Sequence, residues 1–366
     1  MDDRSVQGAF LREAEMMARM LVVPALLFST SFSRSLDLLD AKISDSLPKP
    51  VVCSLTAELV MMSRQLPATA TWHLLADQLV PNSQVHFNSV LFEGFNGTLV
   101  PPPTTVMGWS GDDRAHARAY RVFVAQVRPL VAVTYKLRVA LRGRAALLHS
   151  VSHENLLPFV GAVTLGPQVS LVYARWGIFA PLDRVINNVV LSSSPDRMLT
   201  NMLRGMVLGL AALHGAGVIH GMLSPDHVLV SPTGTIKLMM YGMEAILAHT
   251  APRLVATKDI CLAPEVVMGE RAKPAADIYA FGVLAIWLLN GRQPFANHSL
   301  HEFIAEVTGP AIDSPPELVL GGDANLIPSL ASALSMATCR APSMRPTAPT
   351  LATVLTSVDS LYQESH

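Results

Sequence analysis

The stretch from Val218 to Gly242 (VIHGMLSPDHVLVSPTGTIKLMMYG) constrains the fold more than any other part of the chain. It reads as a turn leaving a helix, a loop, a strand (HVLV, 227–230), a turn and a second strand (IKLM, 236–239). The segment ahead of it, Leu203 to His214 (LRGMVLGLAALH), has the long amphipathic pattern of a helix. The 366 residues can form one large domain or two smaller ones and can bury a sizeable core.

The formal net charge of −1 provides no global field for nucleic acid or an anionic membrane, and Arg204, Arg253 and Lys258 form no basic stripe with interleaved aromatics. Charged residues make up only 15%, against a typical value of about 25%. A surface so thinly charged is weakly protected against association, which points to a protein partner; a neutral surface rich in Ser, Thr and Gly is the plainer alternative. Cys53, Cys261 and Cys339 have neither disulfide-framework nor metal-ligand spacing, so a reducing, cytoplasmic compartment is expected and no metal site. The apolar run Met20–Phe28 is interrupted by Pro24 and is far short of the ~20 residues a membrane span needs.

Residues 1–82 are expected to form a helical extension. Ala9, Phe10, Ala14, Met17 and Leu21 share one helical face, and Leu36, Leu38, Leu39, Ile43 and Leu47 another; Trp72–Val80 is a third helical piece. The methionines at 16, 17, 20, 61 and 62 read as core more readily than as an adaptable binding groove. From Gln84 the period changes to that of strands: QVHFNSVLFEGFNGTLV reads as two strands around a turn bearing Gly94 and Gly97. Residues 101–118 read as an exposed insertion, and the apolar RPLVAVTYKLRV (128–139) as a strand.

The motifs along the chain resemble those of protein kinases, tyrosine-kinase-like branch, from about Gln84 to Tyr362. Val218–Gly242 is similar to the catalytic loop H-R-D-L-x-x-x-N and the following D-F-G: His220, Leu223 and Gly242 match, whereas Met222, Ser224, His227 and Met240 stand at the working positions. HENLLPFVGAV (153–163), LVYARWGIFAPLDRVI with Tyr173 at the gatekeeper position, and APE (263–265) continue the resemblance. So do ADIYAFG with Asp277, and CRAPSMRPT with Arg345. The pairs His220–Gly221 and Tyr241–Gly242 also resemble the kinase-homology domains of receptor guanylyl cyclases.

The resemblance implies an α+β, bilobal protein-kinase-like fold over 83–362. A small β-rich N-lobe (83–174) precedes a large helical C-lobe (175–362), with the helical N-terminal extension in front. Asp277 would brace the backbone at His220, and Glu265 would pair with Arg345 as a buried ion pair. Gly94, Gly97, Lys136 and Tyr173 would line a nucleotide if one binds. Two registers are open for the phosphate-clamping lysine of V-A-x-K, one placing Thr134 there and the other Lys136. Arg144 stands where the helix glutamate partner of that lysine would be.

Phosphoryl transfer requires hard oxygen ligands for Mg²⁺, a base and the lysine. Met240 offers a thioether, His227 an imidazole, and Met222 accepts no proton. Asp226 and Glu244 read as a turn residue and a solvated loop residue rather than a relocated metal site. The expectation is a pseudokinase: a scaffold or allosteric signalling partner with no cofactor, in which ATP has a conceivable place and Mg²⁺ is disfavoured. The alternatives are a divergent ATP-binding kinase using Lys136 and Glu244, and a nucleotide-sensing switch.

Overall fold

The computed structural model describes residues 74, 79–85, 91–99, 120–128, 135–164, 169–190, 195–242, 260–310, 313–318, 320 and 328–364. The helices expected before residue 72, the insertion at 101–118 and Glu244 lie outside these residues.

Strands β1 (Leu79–Val85), β2 (Phe92–Leu99), β3 (Tyr120–Val127), β4 (Phe159–Val163) and β5 (Ser170–Ala174) form an antiparallel sheet in the order β1-β2-β3-β5-β4. The boundary expected after residue 82 therefore falls inside β1, whose Pro81 is accommodated because β1 is an edge strand. Leu74 also belongs to the sheet's surroundings: its N–H donates to the Ala162 carbonyl at 3.1 Å. Side chains of β3 alternate between two apolar clusters. Val122 and Val124 join Leu74, Val163 and Val172 on one face, while Phe123, Ala125 and Val127 enter the main core on the other.

The helix α1 (Tyr135–Ser150) follows β3 and takes up the last five residues, 135–139, of the run 128–139 expected to be a strand. The physical reason lies in its spacing. Leu137, Leu141, Ala145 and Leu148 recur at intervals of four, four and three, and all four are buried in the main core. A short apolar run in isolation fits either period, and here the longer helical stripe decides.

After β5 the chain crosses to a second group of elements. These are β6 (Ala180–Pro181), α2 (Leu182–Val190), α3 (Pro195–Gly215), β7 (Val228–Val230), β8 (Ile236–Leu238), α4 (Pro264–Val267), α5 (Pro274–Asn290), α6 (Leu300–Val307), α7 (Pro328–Ala337) and α8 (Ala348–Glu364). β6, β7 and β8 make a small antiparallel sheet. The expected bilobal α+β architecture is present.

Helix α5 is apolar on nearly all sides because it lies inside the larger lobe, with Ala276 to Ile286 buried. It begins with Pro274 in its first turn and stops at Gly291, left-handed at φ 68°, whose N–H donates to the Trp287 carbonyl. Helix α6 begins with a reciprocal capping box between Ser299 and Glu302. α3 packs against α8 and, through Gly205, against β8; a Cβ at Gly205 would stand 2.7 Å from the Ile236 side chain.

The lobes are joined by main-chain hydrogen bonds around Asn155, between α1 and β4. Leu238 N–H donates to the Asn155 carbonyl and Leu157 N–H to the Leu238 carbonyl, both at 2.8 Å, while the Asn155 amide donates to the Ile236 carbonyl at 3.1 Å. One continuous apolar core runs through both lobes, from Phe92 and Phe123 to Leu229 and Leu284.

Candidate functional site

The loop between α3 and β7 is held by a single carboxylate. Asp277, in the first turn of α5, is 2% exposed and accepts from His220 N–H and Gly221 N–H, both at 2.8 Å, one on each oxygen. His214, in the last turn of α3, lies 2.8 Å from the same carboxylate through Nε2. Gly221 takes φ 82°, a left-handed turn that glycine adopts without Cβ strain. The carboxylate therefore fixes the path of the loop, with its oxygens committed to backbone donors and His214.

Past Gly221 the loop turns inward. Met222 is 3% exposed, and its carbonyl accepts from Nδ1 of His227; Ser224 Oγ lies 3.2 Å from the same nitrogen. A carbonyl only accepts, so Nδ1 of His227 carries the hydrogen. His227 closes the 3-10 turn Pro225–His227, and its carbonyl accepts from Met239 N–H, which couples the loop to the end of β8. The rings of His220 and His227 lie stacked with centroids 6.4 Å apart. Burial holds both imidazoles neutral: His220 falls to about 3 and His227 to about 4. The Asp277 charge opposes the first shift and the hydrogen bond to Met222 the second, without reversing either.

Met240 and Gly242 follow β8, and both are left-handed, at φ 60° and 79°. A methionine in that region is uncommon and strained by ~1 kcal/mol or more; here its side chain is fully buried. Gly242 donates its N–H to the Ile219 carbonyl at 2.9 Å, and a Cβ on it would meet Leu148 of α1 at 2.6 Å. Between them Tyr241 points into the core and donates its hydroxyl to the Leu157 carbonyl at 2.9 Å. Its ring meets Tyr173 edge-on at 5.8 Å, and Tyr173 meets Phe159 edge-on at 5.4 Å. Burial pushes both phenols up, so they remain neutral. Tyr173 is thus an aromatic wall behind the loop.

Farther from the loop, Glu265 and Arg345 form a bidentate pair at 2.7 and 2.8 Å. Arg345 also donates to the carbonyls of Cys339, Ala275 and Arg340, and its guanidinium lies 5.0 Å from the Tyr279 ring centre. With its donors so engaged, the buried charge is compensated.

Three expected positions are corrected. Gly94 and Gly97 do not sit in a turn between strands; they lie inside β2, opposite Ala125 and Val122. β1 and β2 run antiparallel, and the sequence between them, HFNSVL, contains no glycine. Lys136 is not on a strand; it occupies the first turn of α1. The strand that takes the expected place is β3, YRVFVAQV, which carries no lysine. Sequence reasoning missed Phe123 and Ala125 on its inner face. The signal was present in the V-F-V-A alternation at 122–125, but a search anchored on lysine passes over it.

Among the described residues no group of three His, Cys, Asp or Glu is arranged to hold a metal ion, and no helix is long and apolar enough to cross a membrane. Cys261 and Cys339 are buried, and among the described residues neither forms a disulfide.

Comparison with known proteins matches residues 135–354 to the family described as protein kinase domain. A putative serine/threonine-protein kinase/receptor of Acanthamoeba polyphaga mimivirus is 29% identical over 164 residues, covering 42% of this chain and 10% of that protein. The serine/threonine-protein kinase PknL of Mycobacterium tuberculosis is 34% identical over 108 residues, 29% of this chain and 27% of that one. PknA of the same organism is 31% identical over 126 residues, 33% and 29% respectively. The matched part thus spans less than a third of each of these relatives.

Proposed function

The chain belongs to the protein kinase family, and from that premise we propose that it is a pseudokinase, a scaffold or allosteric signalling partner that uses the fold without phosphoryl transfer. The observation that carries the reading is a contrast within one loop. The architectural contacts of Asp277 are satisfied at 2.8 Å, while Met222, His227 and Met240, which stand at the base and metal-ligand positions, offer no oxygen ligand and no carboxylate.

A kinase holds two Mg²⁺ ions through the aspartate of D-F-G and the asparagine of the catalytic loop, and clamps phosphates with a lysine on β3. Met240 and His227 stand at the two ligand positions, both buried. A thioether is a poor ligand for Mg²⁺, and a neutral imidazole with Nδ1 engaged by Met222 is little better. Reading VFVA (122–125) as the V-A-I-K of β3 puts Ala125 at the lysine, on the face that enters the same apolar core as Leu137 and Leu141 of α1. Met222 replaces the base. These residues do not fit a magnesium nucleotide.

The motifs at 153–163 and 171–186 support a place in the tyrosine-kinase-like branch, although the relatives above carry serine/threonine-kinase names. A protein partner, with residues 1–82 as its recruiting segment, and a cytoplasmic location belong to the same proposal. The second reading, a divergent active kinase, is favoured by those relatives' names and by the presence of Lys136 shortly after β3 in the chain.

Incubation of the purified chain with γ-labelled ATP, Mg²⁺ or Mn²⁺, and generic protein substrates tests the choice. No transfer to itself or to substrate is expected; transfer that stops in Lys136→Ala establishes the second reading.

A further inference from the structure

A kinase-family cleft takes a nucleotide with its phosphates toward the lysine position of β3 and its base farther along the gap between the lobes. In this chain that direction can be followed residue by residue. Ala125, at the lysine position, pairs with Leu171 of β5; Phe123, two residues back on the same face and about 6.6 Å along the strand, pairs with Tyr173. One step beyond, Val122 pairs with Ala174, the last residue of β5 before the chain crosses to the larger lobe. Phe123 therefore stands where the two lobes are connected.

What surrounds it there is aromatic. Its ring lies 4.4 Å from that of Trp176, centroid to centroid, tilted by 31°. Trp176 is on the connecting segment itself, two residues past β5. Phe123 is 1% exposed and belongs to the same continuous core as Leu229 of β7 in the larger lobe. An alanine at this position, as in V-A-I-K, would leave the volume of a phenyl ring open beside the connection. Tyr173, the cross-strand partner of Phe123, meets Phe159 and Tyr241 edge-on in turn.

We propose that Phe123 is a built-in occupant of the cleft: stacked on Trp176, its ring fills the place a purine base would need and joins the lobes without a ligand. The consequence is a domain whose two lobes are fixed in one relation at all nucleotide concentrations, so that a partner meets one surface rather than a nucleotide-dependent pair of surfaces. This deepens the pseudokinase reading and rests on it for the identity of the cleft.

Thermal unfolding of the full chain in EDTA, with adenosine and separately with ATP, tests the proposal. The unsubstituted protein is expected to show no shift with either. Phe123→Ala is expected to melt lower and to gain a saturable upward shift of a few degrees with adenosine, the size that saturating a site produces. Val124→Ala removes apolar volume from the opposite face of the same strand, so it is expected to melt lower and gain nothing. Should Phe123→Ala fail to unfold cooperatively, Phe123→Val opens a smaller gap and carries the same expectation.

Stabilisation of the unsubstituted chain by adenosine or ATP in EDTA overturns the proposal, as does a folded Phe123 variant with no gain. Labelled-phosphate transfer on the same samples keeps the two ideas apart. Nucleotide binding without transfer removes the occupant and leaves the pseudokinase, whereas transfer by the unsubstituted chain removes both.

Discussion

Lowering the pH from 8 to 5 is expected to remove about 4 kcal/mol of stability through two histidines, a figure that follows from their burial. His220 and His227 carry folded values of about 3 and about 4, against an ordinary 6.5, in each case chiefly because burial disfavours the imidazolium. His220 is faced by the Asp277 charge, which opposes the shift, and by His227 and His214, which reinforce it. Below pH 6.5 the unfolded chain takes up protons at both rings and the folded chain does not, so stability falls with falling pH. At pH 5 the unfolded state has gained about 1.5 pH units of protonation per ring, worth about 2 kcal/mol each at 1.36 kcal/mol per unit. The loss levels off near pH 4 for His227 and near pH 3 for His220.

Urea unfolding followed by circular dichroism at several pH values reads this directly, and His227→Asn isolates one ring. The asparagine amide can still donate to the Met222 carbonyl but does not titrate. The variant should lose about 2 kcal/mol less than the parent between pH 8 and pH 5, whatever its stability at pH 8. Carboxylates contribute equally to both proteins and cancel in the difference. An identical loss in the two proteins would refute the reasoning, because it would mean that His227 protonates freely in the folded state.

Other perturbations probe the contacts that shape the loop and the larger lobe. Glu265→Gln strands the Arg345 charge and should cost roughly 3–5 kcal/mol in urea unfolding; joining it to Arg345→Met should recover much of that loss. Asp277→Asn keeps one acceptor for two backbone donors and should cost about 2–3 kcal/mol, with a matching loss of amide exchange protection at His220 and Gly221. Gly242→Ala places a Cβ against Leu148 at φ 79° and should cost roughly 2 kcal/mol. Combined with Leu148→Ala it should cost less than the sum of the two, since the clash is then gone.

The larger lobe was legible because its motifs encode contacts between side chain and backbone that only one residue type makes. Asp277 supplies two oxygens to two adjacent N–H groups, and Arg345 supplies a fork to Glu265 plus three carbonyls, so each leaves a fixed spacing in the sequence. The smaller lobe was legible as strands but not in register. Its recognised landmarks are glycines and a lysine that serve phosphates, and without them the pattern reduces to apolar alternation. Hence Gly94 and Gly97 suggest a turn although they continue β2, and Lys136 suggests a strand residue although it lies in the first turn of α1. Phe123 was hidden for the same reason: nothing in the sequence distinguishes an aromatic that packs in a sheet from one that closes a cleft until Trp176 is brought to 4.4 Å.

The central claim is that this chain keeps the kinase fold while lacking the groups that move a phosphoryl group. The most direct measurement follows label from γ-labelled ATP into protein at equimolar enzyme and substrate over many hours, on a sample shown by circular dichroism to unfold cooperatively. The account predicts no incorporation above an EDTA control with either Mg²⁺ or Mn²⁺. Metal-dependent incorporation by the folded, unsubstituted chain would contradict it, and would mean that ligands other than Met240 and His227 hold the metal.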